Sequence, residues 1–213
     1  MRSVPGVFVK RIKDWEDFEH VFWYLKKNPD KYKTVSIDTV TQLQNHATRK
    51  VLRNAGKPTD NLGDWGTMTQ EQWGEVSAMM KQWTTNFCDL AESVEEGGIG
   101  AQVLWLAQMR IEEVEQDDPE VEIEPDVGPQ VIPSVSQHLQ DQCSVIGHTF
   151  IRIKTKEVTR KGKTIIKETP QYCMRIGPNP VYRTKLRTDA ETSVPDFIVN
   201  ASYEELQEII EGN

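Results

Sequence analysis

The stretch from Lys31 to Leu43 constrains the fold of this chain more than any other. Its first part, Thr34 to Ile37, is short and rich in β-branched residues, and a helix-like pattern follows it directly. Short segments that run straight into a helix in this way are typical of strands buried in a parallel sheet. The stretch therefore predicts an α/β fold, with Asp38 at the end of a strand.

Asp38 has two interpretations. Ligands of open α/β sheets bind at the carboxyl ends of the strands, and a carboxylate there can hold a Mg²⁺-bound water beside a nucleotide phosphate. Alternatively, Asp38 caps the helix that follows. Both interpretations fit the spacing.

The rest of the chain continues the alternation of strands and helices. Val7 to Ile12 predicts an N-terminal strand, and Ala101 to Ala107 predicts a second buried strand, which makes two β-helix-β crossovers. Arg160 to Lys163 predicts the turn of a hairpin that starts at Val145. Helices are predicted at Trp15 to Lys27, Val40 to Asn54, Thr69 to Glu92, Pro133 to Gln142 and Ser202 to Ile210.

A length of 213 residues predicts a single domain. We divide it into a β-α-β part (1–108), an acidic excursion (109–132) and a part with the hairpin and C-terminal helix (133–213).

The net charge of -8 argues against an all-over nucleic-acid-binding surface. However, the stretch from Phe150 to Arg187 has 11 bases against two acids, and that from Asp89 to Asp126 has 13 acids against one base. Such asymmetry can create a local basic face, although solvated faces are the commoner explanation.

The sequence features that are absent indicate the cellular compartment of the protein. No apolar run approaches the length of a membrane span, and the first residues carry no signal-peptide pattern. The three cysteines are odd in number and scattered, which favours a reducing compartment. We therefore expect a cytoplasmic protein without a membrane partner.

Three kinds of motif would indicate phosphate, metal or hydrolytic chemistry. The phosphate loop Gly-x-x-x-x-Gly-Lys-Ser/Thr is not present: Gly162 to Thr164 imitates its end, but Glu157 stands where the first glycine belongs. His138, Cys143 and His148 are regularly spaced, yet zinc ligands usually pair at closer spacing. No Gly-x-Ser-x-Gly hydrolase motif occurs.

Gln108 follows the second buried strand, in the place that Asp38 takes on its own strand. Its amide can form a hydrogen bond with a terminal phosphate or orient an attacking water. Alternatively, Gln108 is only a polar residue at the point where the chain leaves the sheet. Lys185 and Arg187 are two residues apart, so in an extended segment they project together. Such paired cations can reach the phosphates of a neighbouring subunit.

The hairpin tip is a candidate for nucleic-acid contact. Arg160, Lys161 and Lys163 can pair with a phosphate backbone. A charged tip is also the ordinary way to keep a hairpin soluble, and this second interpretation is the one we favour.

Taken together, these pieces resemble a known family. The resemblance is carried by the order and spacing of Asp14 to Asp17, Tyr32 to Leu43, Trp65-Gly66, Leu104 to Gln108, Tyr182 to Arg187 and Pro195 to Ile198. They are similar to phage-encoded nucleotide-binding proteins of the AAA/RecA-like class, which include short RecA-core proteins for recombination and single-strand annealing.

The resemblance implies a RecA-like P-loop NTPase core with a mostly parallel sheet, flanking helices, and ATP and Mg²⁺ as cofactors. Asp38 then resembles the Walker B acid that positions Mg²⁺, with Thr39 beside it, and Gln108 resembles the polar sensor. Lys185 and Arg187 resemble cations that reach the nucleotide of an adjacent subunit in a homo-oligomer. In such proteins the loops after the sensor meet single-stranded DNA; here that segment is acidic.

Family members begin with a strand, a phosphate loop and a helix, and this sequence resembles them only from beyond that unit. We therefore expect a truncated protein, a split protein whose partner supplies the phosphate loop, or a descendant that no longer hydrolyses ATP. The expected function is ATP binding in DNA recombination or annealing, in the bacterial host cytoplasm, with weak or no ATPase activity. The alternative is a non-enzymatic binding or assembly module on the same fold.

Overall fold

The computed structural model of the chain describes residues 6–59, 67–112, 125–160, 163–188 and 193–211. These residues divide between two compact units. Unit 1 comprises residues 1–108 and 129–139, and unit 2 comprises residues 109–128 and 140–213. In the part of the chain that is described, no helix is long and apolar enough to cross a membrane.

Unit 1 is built from helices around a two-stranded sheet. Its elements are α1 (Trp15–Lys26), β1 (Thr34–Asp38), α2 (Val40–Asn54), α3 (Gln70–Cys88), β2 (Gln102–Leu106) and the part of α4 (Pro133–Gln142) up to residue 139; the last three residues of α4 belong to unit 2. The strands β1 and β2 pair in parallel, with Asp38 opposite Leu106. The strand that we predicted at residues 7–12 is wrong, because these residues form no strand.

Local sequence signals set the starts of the helices. Thr39 caps α2, since its hydroxyl oxygen accepts a hydrogen bond from the Gln42 amide at 3.1 Å. Thr69 and Gln72 form a reciprocal capping box at the start of α3. Each cap satisfies a backbone N–H that has no partner within its helix, which is why the predicted starts of these helices are confirmed.

An aromatic cluster forms the core of unit 1. The rings of Phe18 and Phe87 stack with their centroids 4.5 Å apart, and Phe22 lies 5.3 Å from Phe87. One side of α1 is buried, at Trp15, Phe18, Phe22 and Leu25. Because these residues recur every three or four positions, α1 places all of them against the same core.

Among the described residues, only one face of the β1–β2 sheet is covered. Val35 and Ile37 pack against the core, whereas Leu104 remains 50% exposed and Leu106 39% exposed on the other face. Successive side chains of a strand point to opposite faces, which accounts for this alternation. The prediction that both strands are strongly buried is therefore wrong for one of their two faces.

Unit 2 consists mainly of antiparallel strands. Its elements are β3 (Met109–Glu112), β4 (Asp126–Pro129), β5 (Val145–Ile146), β6 (His148–Arg160), β7 (Lys163–Arg175), β8 (Lys185–Leu186), β9 (Phe197–Val199) and α5 (Tyr203–Glu211). β6, β7 and β9 form one antiparallel sheet in that order, and β5 pairs with β8. The strands β3 and β4 form a separate two-stranded sheet.

The predicted hairpin is confirmed and is longer than its pattern indicated. β6 and β7 each span 13 residues and pair from His148 opposite Arg175 to Arg160 opposite Lys163. A tight turn joins neighbouring strands antiparallel, whereas parallel strands need a crossover. The α/β class is supported, but the mostly parallel sheet implied by the resemblance is not confirmed.

Candidate functional site

Asp38 is the last residue of β1 and is exposed at the carboxyl end of the parallel pair. The helix that follows is capped by Thr39, so the interpretation of Asp38 as its cap is wrong. Among the residues that the structure describes, none forms a hydrogen bond or ion pair with the Asp38 carboxylate. The carboxylate is thus available to a ligand.

Gln108 is held near the same end of the sheet. Its backbone N–H donates to the hydroxyl oxygen of Thr41 at 3.2 Å, in the first turn of α2. Its carbonyl accepts from the N–H of Gln130 at 2.7 Å. The position differs from our prediction, since Leu106 and not Gln108 lies opposite Asp38. The structure nevertheless brings Asp38, Thr39 and Gln108 to one end of the β1–β2 pair.

This group of residues fits one part of a magnesium–nucleotide site. Mg²⁺ prefers oxygen ligands and is commonly held through one or two carboxylates and several waters, a role that the Asp38 carboxylate suits. The start of α2 also favours negative charge. A phosphate cradle needs backbone N–H groups of a glycine-rich loop at a helix start, and the described residues contain none. No hydrolytic step is therefore assigned to them.

Lys185 and Arg187 both contact the end of α4. The Lys185 Nζ donates to the carbonyl of Gln140 at 2.6 Å, and the Arg187 Nη2 donates to that of Asp141 at 2.9 Å. The last carbonyls of a helix have no partner within it and attract cations. Burial raises the pKa of the neighbouring Cys143 thiol, and both cations oppose that shift. In this structure the two cations therefore stabilise their own fold.

An ion pair that the sequence did not indicate joins Arg183 to Asp126. The Arg183 Nε lies 2.8 Å from both carboxylate oxygens, and Nη2 contacts one of them. Each side chain is about one-third exposed. The two residues are 57 positions apart, so no periodic pattern relates them. The pair ties the chain before Val127 to the segment that carries Lys185.

The remaining candidates divide into two groups. Lys161 lies outside the described residues, as do the side chains of Arg160 and Lys163, whose backbones pair across the hairpin turn. The other group is His138, Cys143 and His148, whose spacing does not favour a zinc site. Within the described ranges no group of three or more His, Cys, Asp or Glu residues can hold a metal ion, and His138 instead bonds the Thr85 hydroxyl at 2.9 Å.

Comparison with known proteins identifies the family. A family model described as an AAA domain matches residues 1–188 of the chain. The chain belongs to this AAA domain family. Its members are P-loop-type nucleotide-binding domains, which typically bind their nucleotide with Mg²⁺. Searches of curated proteins and of solved structures found no match to the chain.

The match to this family extends over the residues that include Asp38 and Gln108. The mixture of helices and strands in the chain fits the α/β fold of this nucleotide-binding family.

Proposed function

We propose that this AAA domain protein is a RecA-like ATP-binding protein of phage type, acting in DNA recombination or single-strand annealing. The observation that carries the proposal is the Asp38 carboxylate at the carboxyl end of β1, which has no partner among the described residues, with Gln108 held at the same end. The family model over residues 1–188 supports the nucleotide-binding part. The DNA-related part rests on the resemblance to recombination proteins and on the basic C-terminal hairpin.

In this proposal Asp38 would hold Mg²⁺ through one of the waters of the ion, and Thr39 lies beside it. Gln108 would bind the terminal phosphate or orient the water next to it. ATP, when bound, supplies the phosphoryl group, and the protein residues only bind and orient it. ATPase activity of this chain alone is weak or absent, because its sequence contains no glycine-rich phosphate loop.

A strand, phosphate-loop and helix unit completes the site in this proposal, supplied by a partner. The half-exposed face of the β1–β2 pair, which includes Leu104, supports this idea. Parallel sheets are normally covered on both faces, so a parallel pair with one bare face is an expected docking place for further elements. In a homo-oligomer, Lys185 and Arg187 would then serve the nucleotide of the adjacent subunit.

ATP binding with and without Mg²⁺, measured by calorimetry on the chain as given, tests the nucleotide part of the proposal. The variants are Asp38→Asn, which removes the charge but keeps the shape, and Asp30→Asn, a matched control at an exposed aspartate of the same unit. We expect Mg²⁺-dependent binding that Asp38→Asn weakens by roughly tenfold or more and Asp30→Asn leaves unchanged. Equal affinity of both variants refutes the role of Asp38, whereas absence of binding at millimolar ATP refutes ATP binding by this chain without a partner.

The second candidate function is a non-enzymatic binding or assembly module on the same fold. It is favoured by the contacts of Lys185 and Arg187, which bond backbone carbonyls of their own chain. Under this alternative Asp38 and Gln108 no longer serve nucleotide chemistry. Self-association or partner binding that is unaffected by ATP and by Asp38→Asn is the result it predicts.

A further inference from the structure

The charges of the β6–β7 hairpin are separated onto opposite faces. Directly opposed residues of an antiparallel pair point to the same face, and alternate residues of one strand point to opposite faces. We call one face the basic face; within residues 148–157 and 166–175 its cations are Arg152, Lys154, Lys156, Lys167 and Arg175. The same stretches place both of their acids, Glu157 and Glu168, on the other face.

The basic face contains a pair that works against the stability of the hairpin. Lys156 lies directly opposite Lys167. Like charges that face each other across two strands are destabilising, whereas opposite charges at such positions stabilise a sheet. Glu168 is the next residue along β7. A glutamate at position 167 instead would lie directly opposite Lys156. A ligand with negative charge would relieve this repulsion.

The outer lysines of the basic face are not neutralised within the protein. Lys154, Lys156 and Lys167 are exposed. In the described part of the chain no carboxylate forms an ion pair with any of them. Their ammonium groups are therefore free to contact a ligand.

The arginines at the base of the hairpin are held in place by aromatic rings. The Arg175 guanidinium lies 5.2 Å from the ring centroids of both Phe150 and Tyr182. That of Arg152 lies 4.6 Å from the Phe197 centroid, and its Nε donates to Gln171 at 2.8 Å. Cation–π contacts orient a guanidinium without cancelling its charge. Fixed positive charge thus continues the row that the lysines begin.

We propose that the basic face of the hairpin binds the phosphodiester backbone of a nucleic acid. The inference rests on the DNA-related part of the proposed function, and it is independent of nucleotide binding at Asp38. Arg152, Lys154 and Lys156 form a row of about 14 Å, since each residue of a strand advances about 3.4 Å. An open row of this length suits a linear chain of phosphates better than one compact phosphate group. The contact lies along the strands and not only at the predicted hairpin tip.

The backbone of single-stranded and of duplex nucleic acid offers the same phosphate chemistry. Single strands track basic surfaces flanked by aromatic side chains, and a two-stranded β-ribbon also fits the major groove of a duplex. Binding to the two forms is therefore compared in the test, which distinguishes these sources. Contacts to phosphates carry no sequence information, so we expect little dependence on base sequence.

Fluorescence anisotropy with labelled oligonucleotides, single-stranded and duplex, tests the proposal on the full chain without ATP. The face variant is Lys156→Gln with Lys167→Gln. The matched control is Lys27→Gln with Lys33→Gln, which removes the same charge from exposed lysines of unit 1. Binding is measured between 50 and 200 mM salt, and the thermal unfolding midpoint of each variant is recorded.

For a single strand, losing two phosphate contacts lowers the slope of log affinity against log salt by about 1.4. The affinity of the unmodified chain should consequently fall about sevenfold more than that of the face variant over this salt range. The control should keep the original slope, because only total charge has changed. Failure of ATP binding at Asp38 leaves this expectation untouched.

Four results overturn the proposal. The first is the absence of binding to both oligonucleotide forms at 50 mM salt. The second is an equal slope for the face variant and the control, which would indicate overall charge and not a defined face. The third is binding to vesicles that contain an anionic lipid without binding to oligonucleotides, which would indicate a membrane surface instead. A face variant with an unchanged unfolding midpoint and unchanged oligonucleotide affinity also counts against it.

Discussion

Replacing Lys167 by Glu should make the hairpin more stable while making it a poorer nucleic-acid ligand. Lys167 faces Lys156 directly across β6 and β7. The substitution turns a repulsive pair into an attractive one. Most substitutions of binding residues that also affect folding reduce both the stability and the binding affinity. A substitution that raises the stability and lowers the affinity is therefore a specific signature of a surface selected for an anion.

The size of the stability gain follows from the geometry of the pair. The Cβ atoms of directly opposed residues in an antiparallel pair are about 5 Å apart, and an opposite-charge pair contributes roughly 0.2–1 kcal/mol. Both side chains are exposed, so solvent screens their charges. The total gain in the free energy of unfolding is therefore about 1 kcal/mol. For a chain of this length, 1 kcal/mol corresponds to about 2–4 °C in the thermal midpoint.

Thermal unfolding followed by circular dichroism, at 0.05 and 1 M NaCl, measures the effect. The gain should largely vanish at 1 M, where the screening length falls to about 3 Å. Lys167→Gln removes the repulsion without adding attraction and should give an intermediate gain. Glu168→Lys is the matched control, because its opposed residue Thr155 is uncharged. A stability loss with Lys167→Glu, or a gain that persists at 1 M salt, would refute the reasoning.

Three further predictions concern the rest of the fold. Phe87→Ala should destabilise unit 1 by about 3–5 kcal/mol in urea unfolding, because it empties the centre of the buried aromatic cluster; a loss below 1 kcal/mol would contradict that packing. Burial lowers the pKa of His46, so the folded state binds fewer protons than the unfolded state just below pH 6.5 and stability should fall as pH drops from 7 to 5. His46→Gln should flatten that pH dependence, and an unchanged profile would exclude His46 as its source. Asp126→Asn should cost about 1–2 kcal/mol, and a double-mutant cycle with Arg183→Gln should give a coupling energy that is clearly above zero.

The sequence was sufficient for features that depend on neighbouring residues. The capping box of Thr69 and Gln72, the buried stripe of α1 and the turn between β6 and β7 follow from spacings of two to four positions. Such features are decided within one or two turns of the chain, where backbone hydrogen bonding and side-chain direction are local properties. The position of Asp38 at the end of a strand was predictable for the same reason.

Features that depend on distant residues were not predictable in this way. Residues 7–12 have an alternating pattern but form no strand, because a strand also needs a partner for its backbone groups. The contacts of Lys185 with Gln140 and of Arg183 with Asp126 join positions 45 and 57 residues apart. No spacing rule relates residues at such distances, since the path of the chain between them decides whether they meet.

By itself, the sequence determined the local elements, the acidic and basic stretches and the candidate carboxylate at Asp38. The tertiary structure decided what surrounds them. Parallel pairing of β1 with β2 brings Gln108 near the end of the strand that carries Asp38, and the register of β6 with β7 sets Lys156 opposite Lys167. The physical reason is that charge and hydrogen-bonding capacity belong to single residues, whereas their interaction energies depend on distances that only the folded chain defines.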